Sequence, residues 1–125
     1  MRPILTIAIP TMHNWQQLDW CVRSLFMYTE FPYKVVVVNN CPDDKARLDH
    51  FCAMSTVGEL LSVQHMESNV GWMRAVNTAL AACDTELFCM LNDDVVFLPG
   101  QNAFWRFLWE AISDDTVGAV GPCSN

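Results

Sequence analysis

The sequence predicts an α/β fold in which helices cover both faces of a mostly parallel sheet. Short apolar runs rich in valine and isoleucine alternate along the chain with stretches of helical periodicity, and this alternation is typical of β-α-β units. The apolar runs are uninterrupted, as expected for strands that are buried on both faces. No repeat, low-complexity tract or linker divides the 125 residues, so we expect a single domain over residues 1–125.

Five short apolar runs predict the strands. The most regular of them consists of four consecutive valines, whose β-branched side chains favour extended backbone. The first run is closed by Pro10 and Thr11, which indicate a loop. The predicted strands cover residues 5–9, 35–38, 60–65, 87–91 and 117–120.

Four stretches with apolar residues at every third or fourth position predict the helices. Asn14 is the expected N-cap of the first helix, and Asp43 or Asp44 that of the second, because short polar side chains accept hydrogen bonds from the first turn. Gly71 leads into the third helix. The apolar positions of these three helices are Leu18, Cys21, Val22, Leu25, Phe26, Leu48, Phe51, Cys52, Trp72, Ala75, Val76, Ala79 and Leu80.

The fourth helix, residues 104–112, is apolar almost all round, since only Arg106 and Glu110 in it are polar. A helix of this kind is buried on all sides. Little sequence follows it that could cover its outer face. We therefore expect either a partner on the face formed by residues 104–112, such as a second copy of the chain, or a chain that stops short of the whole fold.

Composition and charge exclude several classes of protein. With 52% hydrophobic and 17% charged residues, the chain is not intrinsically disordered. A net charge of −7 disfavours nucleic acid as a partner, because the phosphate backbone would be repelled. No apolar run reaches the roughly 18 residues of a transmembrane helix, and Pro10 interrupts the first run too early for a signal-peptide core. We expect a cytoplasmic protein.

The six cysteines agree with that location. No pair of them has the C-x-x-C spacing of a zinc or redox site. They lie within apolar periods, which favours free thiols that pack as small hydrophobic groups over a disulfide framework. His50 and Cys52 are close in sequence, but two potential ligands do not define a metal site.

Polar or conformationally special residues follow four of the predicted strands. In an open α/β sheet, ligands bind outside the carboxyl ends of the strands. We therefore expect these segments to converge on one binding pocket. The segments are Pro10 and Thr11, Asn39 and Asn40, residues 67–71, and residues 92–94.

Asp93 and Asp94 interrupt an otherwise apolar run. Two adjacent carboxylates are costly to bury unless water or a cation compensates their charge. One interpretation is a site for Mn²⁺ or Mg²⁺, which prefer oxygen ligands and are commonly held by one or two carboxylates together with substrate phosphates. Such an ion would also let an acidic protein bind a diphosphate. The other interpretation is a polar turn without a ligand.

The segment that enters the third helix supplies further candidates. Asn69 and Gly71 place backbone N–H groups at a helix N-terminus, where these groups can contact a phosphate or a sugar, but a glycine there also permits a simple turn. Arg74 and Asn77 lie off the apolar stripe of the helix. Arg74 is either a phosphate ligand or a solvated surface side chain.

Five segments, in the same order along the chain, resemble family 2 glycosyltransferases of the GT-A fold. The resemblance covers nearly all of the sequence and implies a Rossmann-like sheet of the GT-A type. It implies the nucleotide-sugar-binding part of such an enzyme, without the segment that binds the acceptor. The segments are ILTIAIPTMHNWQQLDWCVRSL (residues 4–25), KVVVVNNCPDD (34–44), ESNVGWMRAVNTAL (67–80), CMLNDDVVFLPG (89–100) and VGAVGPCSN (117–125).

The resemblance implies a site for a nucleotide sugar, with UDP- or TDP-sugars as the expected donors. Asp94 would ligate Mn²⁺ or Mg²⁺, with Asp93 near the ribose or a metal-bound water. The metal would stabilise the leaving nucleoside diphosphate. The residues that would contact the donor, from the base to the diphosphate and sugar, are Pro10, Thr11, Asn39, Asn69, Gly71, Arg74 and Asn77.

The sequence also departs from the family. Asn39 stands where the family usually has an aspartate that accepts a hydrogen bond from the base, and Met12 and His13 replace Tyr and Asn. No residue matches the carboxylate that acts as general base in inverting members. The alternative to a transferase is therefore a non-catalytic donor-fold module that a partner chain completes. A nucleotidyltransferase is disfavoured, because residues 10–15 lack the glycine and lysine of a phosphate loop.

Overall fold

The structure, a computed structural model, describes residues 2–123. Within this range strands and α-helices alternate, as the sequence predicts. They are β1 (Leu5–Thr11), α1 (Trp15–Tyr28), β2 (Tyr33–Asn39), α2 (Lys45–Ala53), β3 (Leu61–His65), α3 (Trp72–Ala81), β4 (Leu87–Met90) and α4 (Asn102–Ile112). Short 3₁₀ turns precede α2 and β3, at Pro42–Asp44 and Gly58–Leu60. None of the helices in this range is long and apolar enough to cross a membrane.

The strands of the described residues form one parallel sheet in the order β3-β2-β1-β4. Thr11 at the end of β1 lies opposite Asn39 at the end of β2, and Asn39 lies opposite His65 at the end of β3. The chain runs outward from β1 to β3 and then crosses back to place β4 on the other side of β1. In open α/β sheets, ligands bind where the strand order reverses, which here is between the carboxyl ends of β1 and β4.

Two hydrophobic clusters cover the two faces of the sheet, because successive strand residues point to opposite sides. The larger cluster packs α1, together with Leu48 of α2 and Trp105 of α4, against Ile7, Ile9, Val35 and Val37. The smaller cluster packs Ala75 and Ala79 of α3 against Ala8 and Val38. Helices therefore cover both faces, which confirms the predicted fold class.

Two helices begin at the predicted caps, but the capping side chains are used elsewhere. Asn14 and Asp44 occupy the N-cap positions of α1 and α2, and neither side chain makes a capping hydrogen bond. The Asn14 amide bonds to Asp93, and the Asp44 carboxylate bonds to His13. These long-range partners compete successfully with the N–H groups of the helices, so both residues connect loops that are distant in sequence.

The predicted fifth strand, residues 117–120, is not formed. This segment belongs to the described residues but has no strand conformation. A cavity of about 590 Å³, which is also lined by α4, lies between it and β4. Glycine offers no side chain for cross-strand packing, and Gly118 and Gly121 lie in this short segment and directly after it. Local hydrophobicity alone is therefore not enough to dock it onto the edge of the sheet.

Apolar side chains on α3 and α4 are less covered than their periodicity predicts. Trp72 and Leu80 of α3 are 42% and 50% exposed. On α4, Trp105 is buried and stacks on Phe97 with ring centroids 5.8 Å apart, whereas Phe107 is 69% exposed. Within residues 2–123, only one side of α4 is therefore covered.

We expect Leu18→Ala in α1 to lower the free energy of unfolding by about 2–5 kcal/mol, because it leaves a cavity in the larger cluster. Leu80→Ala in α3 is the matched control, since the same truncation at a half-exposed position should cost less than about 1 kcal/mol. Urea unfolding followed by circular dichroism measures both changes. Equal losses in the two variants would contradict the assignment of the core.

Candidate functional site

The acidic loop that follows β4, residues 92–97, is fastened to the end of β1. The Thr11 hydroxyl donates a hydrogen bond to Asp93 Oδ2 at 2.8 Å. The Asn14 amide donates to Asp93 Oδ1 at 3.1 Å. Both oxygens of this carboxylate are therefore held by neutral donors, and the side chain is fixed near the point where the strand order reverses.

Helix α1 holds the two ends of the acidic loop. The Cys21 thiol donates to the Asn92 carbonyl oxygen at 3.7 Å, and the Phe97 backbone N–H donates to Ser24 Oγ at 2.9 Å. The Ser24 hydroxyl in turn donates to the Cys21 carbonyl at 3.0 Å. Sequence reasoning missed both roles, because periodicity marks Cys21 only as a core position and gives no signal for Ser24.

The protonation state of Cys21 follows from this placement. Burial, followed by the charges of Asp93 and Asp94, raises the pKa of the Cys21 thiol from 9.0 to about 12. The group is therefore a neutral S–H donor at physiological pH, as its hydrogen bond to the loop requires. A thiolate at this position would face two carboxylates.

Asp94 differs from Asp93 in its surroundings. It is exposed to solvent, and the hydrogen bonds from Thr11 and Asn14 go to Asp93. Asp94 therefore presents a carboxylate next to a neighbour that is already fixed. Oxygen donors of this kind suit Mn²⁺ or Mg²⁺, so the residues present fit a divalent cation, with Asp94 as the accessible ligand.

The end of β2 carries a hydrogen-bonded chain of side chains. Asn39 is fully buried; its amide nitrogen bonds to His65 Nδ1 at 3.0 Å, and its oxygen accepts from the Cys41 backbone N–H at 2.9 Å. His65 Nε2 is 2.7 Å from Asp49 Oδ1. Because an amide NH₂ can only donate, neutral His65 accepts at Nδ1 and donates from Nε2 to the carboxylate. The Asn39 amide is therefore already committed to protein partners.

Asn40 connects the end of β2 to the loop that precedes α3. Its amide donates to the Gly71 carbonyl at 3.4 Å, and its oxygen accepts from the Val70 N–H at 3.4 Å. Within that loop, Asn69 accepts from the Gly71 N–H at 3.0 Å and donates to the sulfur of Met12 at 2.9 Å. Gly71 has φ +82°, a backbone conformation that residues other than glycine rarely adopt.

The structure therefore brings together most of the predicted site residues, but not all of them. The ends of β1 and β4 are in contact through Asp93, β2 ends beside β1, and Asn69 reaches the residue next to Thr11. Pro10 lies buried within β1. Arg74 and Asn77 line a different, shallow groove of about 470 Å³ along α3. A role in ligand binding remains a prediction for each of these residues.

The chain matches the family described as "Glycosyl transferase family 2" over residues 6–123. No curated protein sequence matches it. Several solved structures have a similar fold. One is the mannosyltransferase PcManGT from Pyrobaculum calidifontis in complex with GDP-Man and Mn²⁺, with a TM-score of 0.79, 20% identity and 94% of this chain covered.

TarS from S. aureus is also similar, with a TM-score of 0.67, 22% identity and 91% of this chain covered. A second TarS structure, in complex with UDP-GlcNAc, gives a TM-score of 0.68, 21% identity and 91% coverage. This chain spans 34% of the mannosyltransferase, and 20% and 33% of the two TarS chains. At identities this low, the structural similarity shows a shared fold and nothing more.

We expect Asp93→Ala to lower the free energy of unfolding by about 2 kcal/mol, because hydrogen bonds to a charged group contribute roughly 1.5–3 kcal/mol. Asp94→Ala is the matched control and should change stability by less than about 0.5 kcal/mol, as is usual for exposed positions. Thermal or urea unfolding of both variants measures the difference. A larger loss for Asp94→Ala would contradict the structural role of Asp93.

The Cys21 thiol makes stability depend on alkaline pH. In the unfolded chain it titrates near its ordinary pKa of 9.0, and in the folded chain near 12. Its contribution is therefore complete below pH 9. Between those values the unfolded state binds fewer protons, so the free energy of unfolding falls as pH rises, by up to about 1.4 kcal/mol per pH unit.

Urea unfolding under reducing conditions at pH 8 and pH 10 measures this fall, and Cys21→Ala should show a smaller one. Burial also raises the pKa of Cys89 to about 11, but that group is present in both proteins, so the difference isolates Cys21. Parallel pH curves for the two proteins would contradict the prediction.

Proposed function

This chain belongs to glycosyl transferase family 2 and has an α/β fold of the GT-A type, and from that premise we propose that it binds a nucleotide-diphosphate sugar together with Mn²⁺ or Mg²⁺. The observation that carries the proposal is the contact between the ends of β1 and β4. There Thr11 and Asn14 hold Asp93 and Asp94 remains exposed beside it.

We assign the donor-binding roles along the edge formed by the carboxyl ends of the strands. Asp94 is the proposed metal ligand. Asp93 orients the loop that presents it, and it stays the proposed contact for the metal, through a bound water, or for the ribose. The loop at Asn69 and Gly71 is the proposed contact for the diphosphate, with the Gly71 N–H exchanging its bond to Asn69 for one to a phosphate oxygen. Arg74 and Asn77 complete the diphosphate and sugar region from α3, and this assignment requires a donor long enough to reach the groove along that helix.

The base-binding region is assigned to the ends of β1 and β2, at Pro10, Thr11 and Asn39. Asn39 is fully buried and hydrogen-bonded to His65 and Cys41, so its proposed contact with the base requires a rearrangement at the end of β2. An amide oxygen accepts a hydrogen bond without charge assistance, so we expect a weaker hold on the base than a carboxylate gives. UDP- or TDP-sugars are the proposed donors. Related folds carry GDP-Man and UDP-GlcNAc, so GDP belongs in the test.

The proposed reaction is transfer of the sugar to an acceptor of unknown class, with inversion. A bound divalent cation supplies Lewis-acid stabilisation of the nucleoside diphosphate as it leaves. The residues of this chain bind and orient the donor. No general base is assigned here, because that group must lie within hydrogen-bond reach of the acceptor and no residue of this sequence matches it.

A second candidate function is a donor-fold binding module that a partner chain completes. It is favoured by the outer side of α4, where Phe107 and Trp109 are 69% and 37% exposed. Light scattering distinguishes the two functions when it is combined with an assay of donor hydrolysis. A monomer that hydrolyses the donor excludes the module, and an inactive assembly joined through residues 104–112 supports it.

A cytoplasmic location is part of the proposal. All six cysteines are free, as a reducing compartment favours. Cys123 is exposed and could form intermolecular disulfides under oxidising conditions. We therefore propose that the chain works where thiols stay reduced.

The proposal predicts binding that depends on a divalent cation. Thermal unfolding with UDP, TDP or GDP, with and without Mn²⁺, should reveal stabilisation of about 2.7 kcal/mol at a ligand concentration of 100 times Kd. Asp94→Ala should reduce the stabilisation that requires Mn²⁺, because it removes the accessible carboxylate. Asp115→Ala removes an exposed carboxylate outside the acidic loop and should leave it unchanged. If no nucleotide stabilises the wild-type chain, the proposal fails.

A further inference from the structure

Three metal-ligand side chains that the donor site does not use lie together beside the ends of β1 and β2. His13 belongs to the loop between β1 and α1, Cys41 follows β2, and Asp44 ends the 3₁₀ turn before α2. One ligand atom from each lies within 4.8 Å of the others. We propose that this His13–Cys41–Asp44 triad binds a zinc-class transition-metal ion, independently of the proposed donor function.

The mixture of ligand atoms selects the class of metal. Zn²⁺ binds imidazole nitrogen, thiolate sulfur and carboxylate oxygen, whereas Mg²⁺ and Mn²⁺ prefer oxygen alone. The triad offers one ligand of each kind. It therefore differs in chemistry from Asp93 and Asp94, which offer only oxygen, and the two sites should take different ions.

The spacing of the triad is close to that of a coordinated ion. Ligands bound tetrahedrally to zinc at about 2.0–2.3 Å lie roughly 3.3–3.6 Å apart. His13 Nδ1 already lies 3.1 and 3.2 Å from the two oxygens of Asp44. The ligand atoms lie within 4.8 Å of one another, so Cys41 Sγ must approach by at most about 1.5 Å, which rotation of a side chain can supply.

The backbone at His13 holds the loop in an unusual conformation that brings the imidazole to this position. Its φ is +52°, a left-handed value that is uncommon for residues other than glycine. The His13 side chain is 75% exposed and that of Asp44 is 14% exposed. The triad is therefore open to solvent at His13, as for three-ligand zinc sites with a free fourth position.

Charge and protons balance on binding. The Cys41 thiol loses its proton to solvent and the thiolate binds the ion, while Asp44 binds as a carboxylate. Neutral His13 binds through Nδ1 and carries its proton on Nε2. Two negative ligands neutralise the divalent ion, and one proton is released for each ion bound. No oxidant or further reactant is needed.

Cobalt titration of the full chain, kept reduced with a phosphine, tests the proposal, because Co²⁺ reports its ligands by absorbance. We expect a one-to-one complex with a thiolate-to-cobalt band in the near ultraviolet, and loss of that band when excess Zn²⁺ is added. Calorimetry in two buffers of different ionisation enthalpy should give about one proton released per ion.

The variants identify the ligands. Cys41→Ser should abolish the thiolate band. His13→Asn should weaken binding by at least about 10-fold, and asparagine tolerates the positive φ of this position, so the fold is retained. Cys123→Ser and His50→Asn are matched controls at other exposed positions, and Asp94→Ala tests independence from the acidic loop; all three should bind like the wild type.

Several outcomes would overturn the proposal. They are absence of a thiolate band in the wild type, a band that survives Cys41→Ser, and a band that Cys123→Ser removes. Circular dichroism of each variant shows whether it folds. If Cys41→Ser fails to fold, unchanged cobalt affinity in a folded His13→Asn variant overturns the proposal by itself.

Discussion

The hydrogen bonds from Thr11 and Asn14 to Asp93 are the constraint on which the arrangement of the site depends. They join the end of β1 to the loop after β4, across the point where the strand order reverses. A partly buried carboxylate such as that of Asp93 is costly unless donors compensate its charge. Here two neutral side chains supply those donors. Because α1 also holds both ends of the loop, the backbone that carries the exposed Asp94 is held in place.

Much of the fold follows from the spacing of apolar residues. The first four predicted strands and all four predicted helices have counterparts in the structure. Uninterrupted valine-rich runs are typical of buried strands, and apolar residues at helical spacing are typical of helices that pack on a core. The same reasoning wrongly predicts a strand at residues 117–120. The hydrophobicity of this segment is a local property, whereas a strand forms only by pairing with another strand. The spacing of apolar residues does not predict whether the segment reaches the edge of the sheet.

The site could be predicted as a set of positions but not as a set of bonds. Parallel strands carry their carboxyl ends to one edge, so Thr11, Asn39 and Asp93 could be expected near one another. The partner of each side chain depends on tertiary contacts. Asn14 and Asp44 have the chemistry of helix caps, yet side chains distant in sequence engage both.

Asn39 illustrates how a neighbouring residue explains a departure from the family pattern. His65 faces it with Nδ1 and donates from Nε2 to Asp49. A carboxylate at position 39 has no proton to offer a neutral imidazole, whereas the amide of asparagine does. Asparagine at position 39 is therefore consistent with the hydrogen bonds at the end of β2.

The unequal roles of Asp93 and Asp94 have a consequence for metal binding. Asp93 uses both oxygens to hold the loop, which leaves Asp94 as the freely accessible carboxylate of the pair. One carboxylate and water hold Mg²⁺ or Mn²⁺ weakly, and substrate phosphates commonly supply further oxygens. In the proposed site, metal and nucleotide would then strengthen each other's binding by the same factor, because coupling between two ligands is reciprocal. The acidic loop would therefore bind the metal more tightly when a diphosphate is already bound.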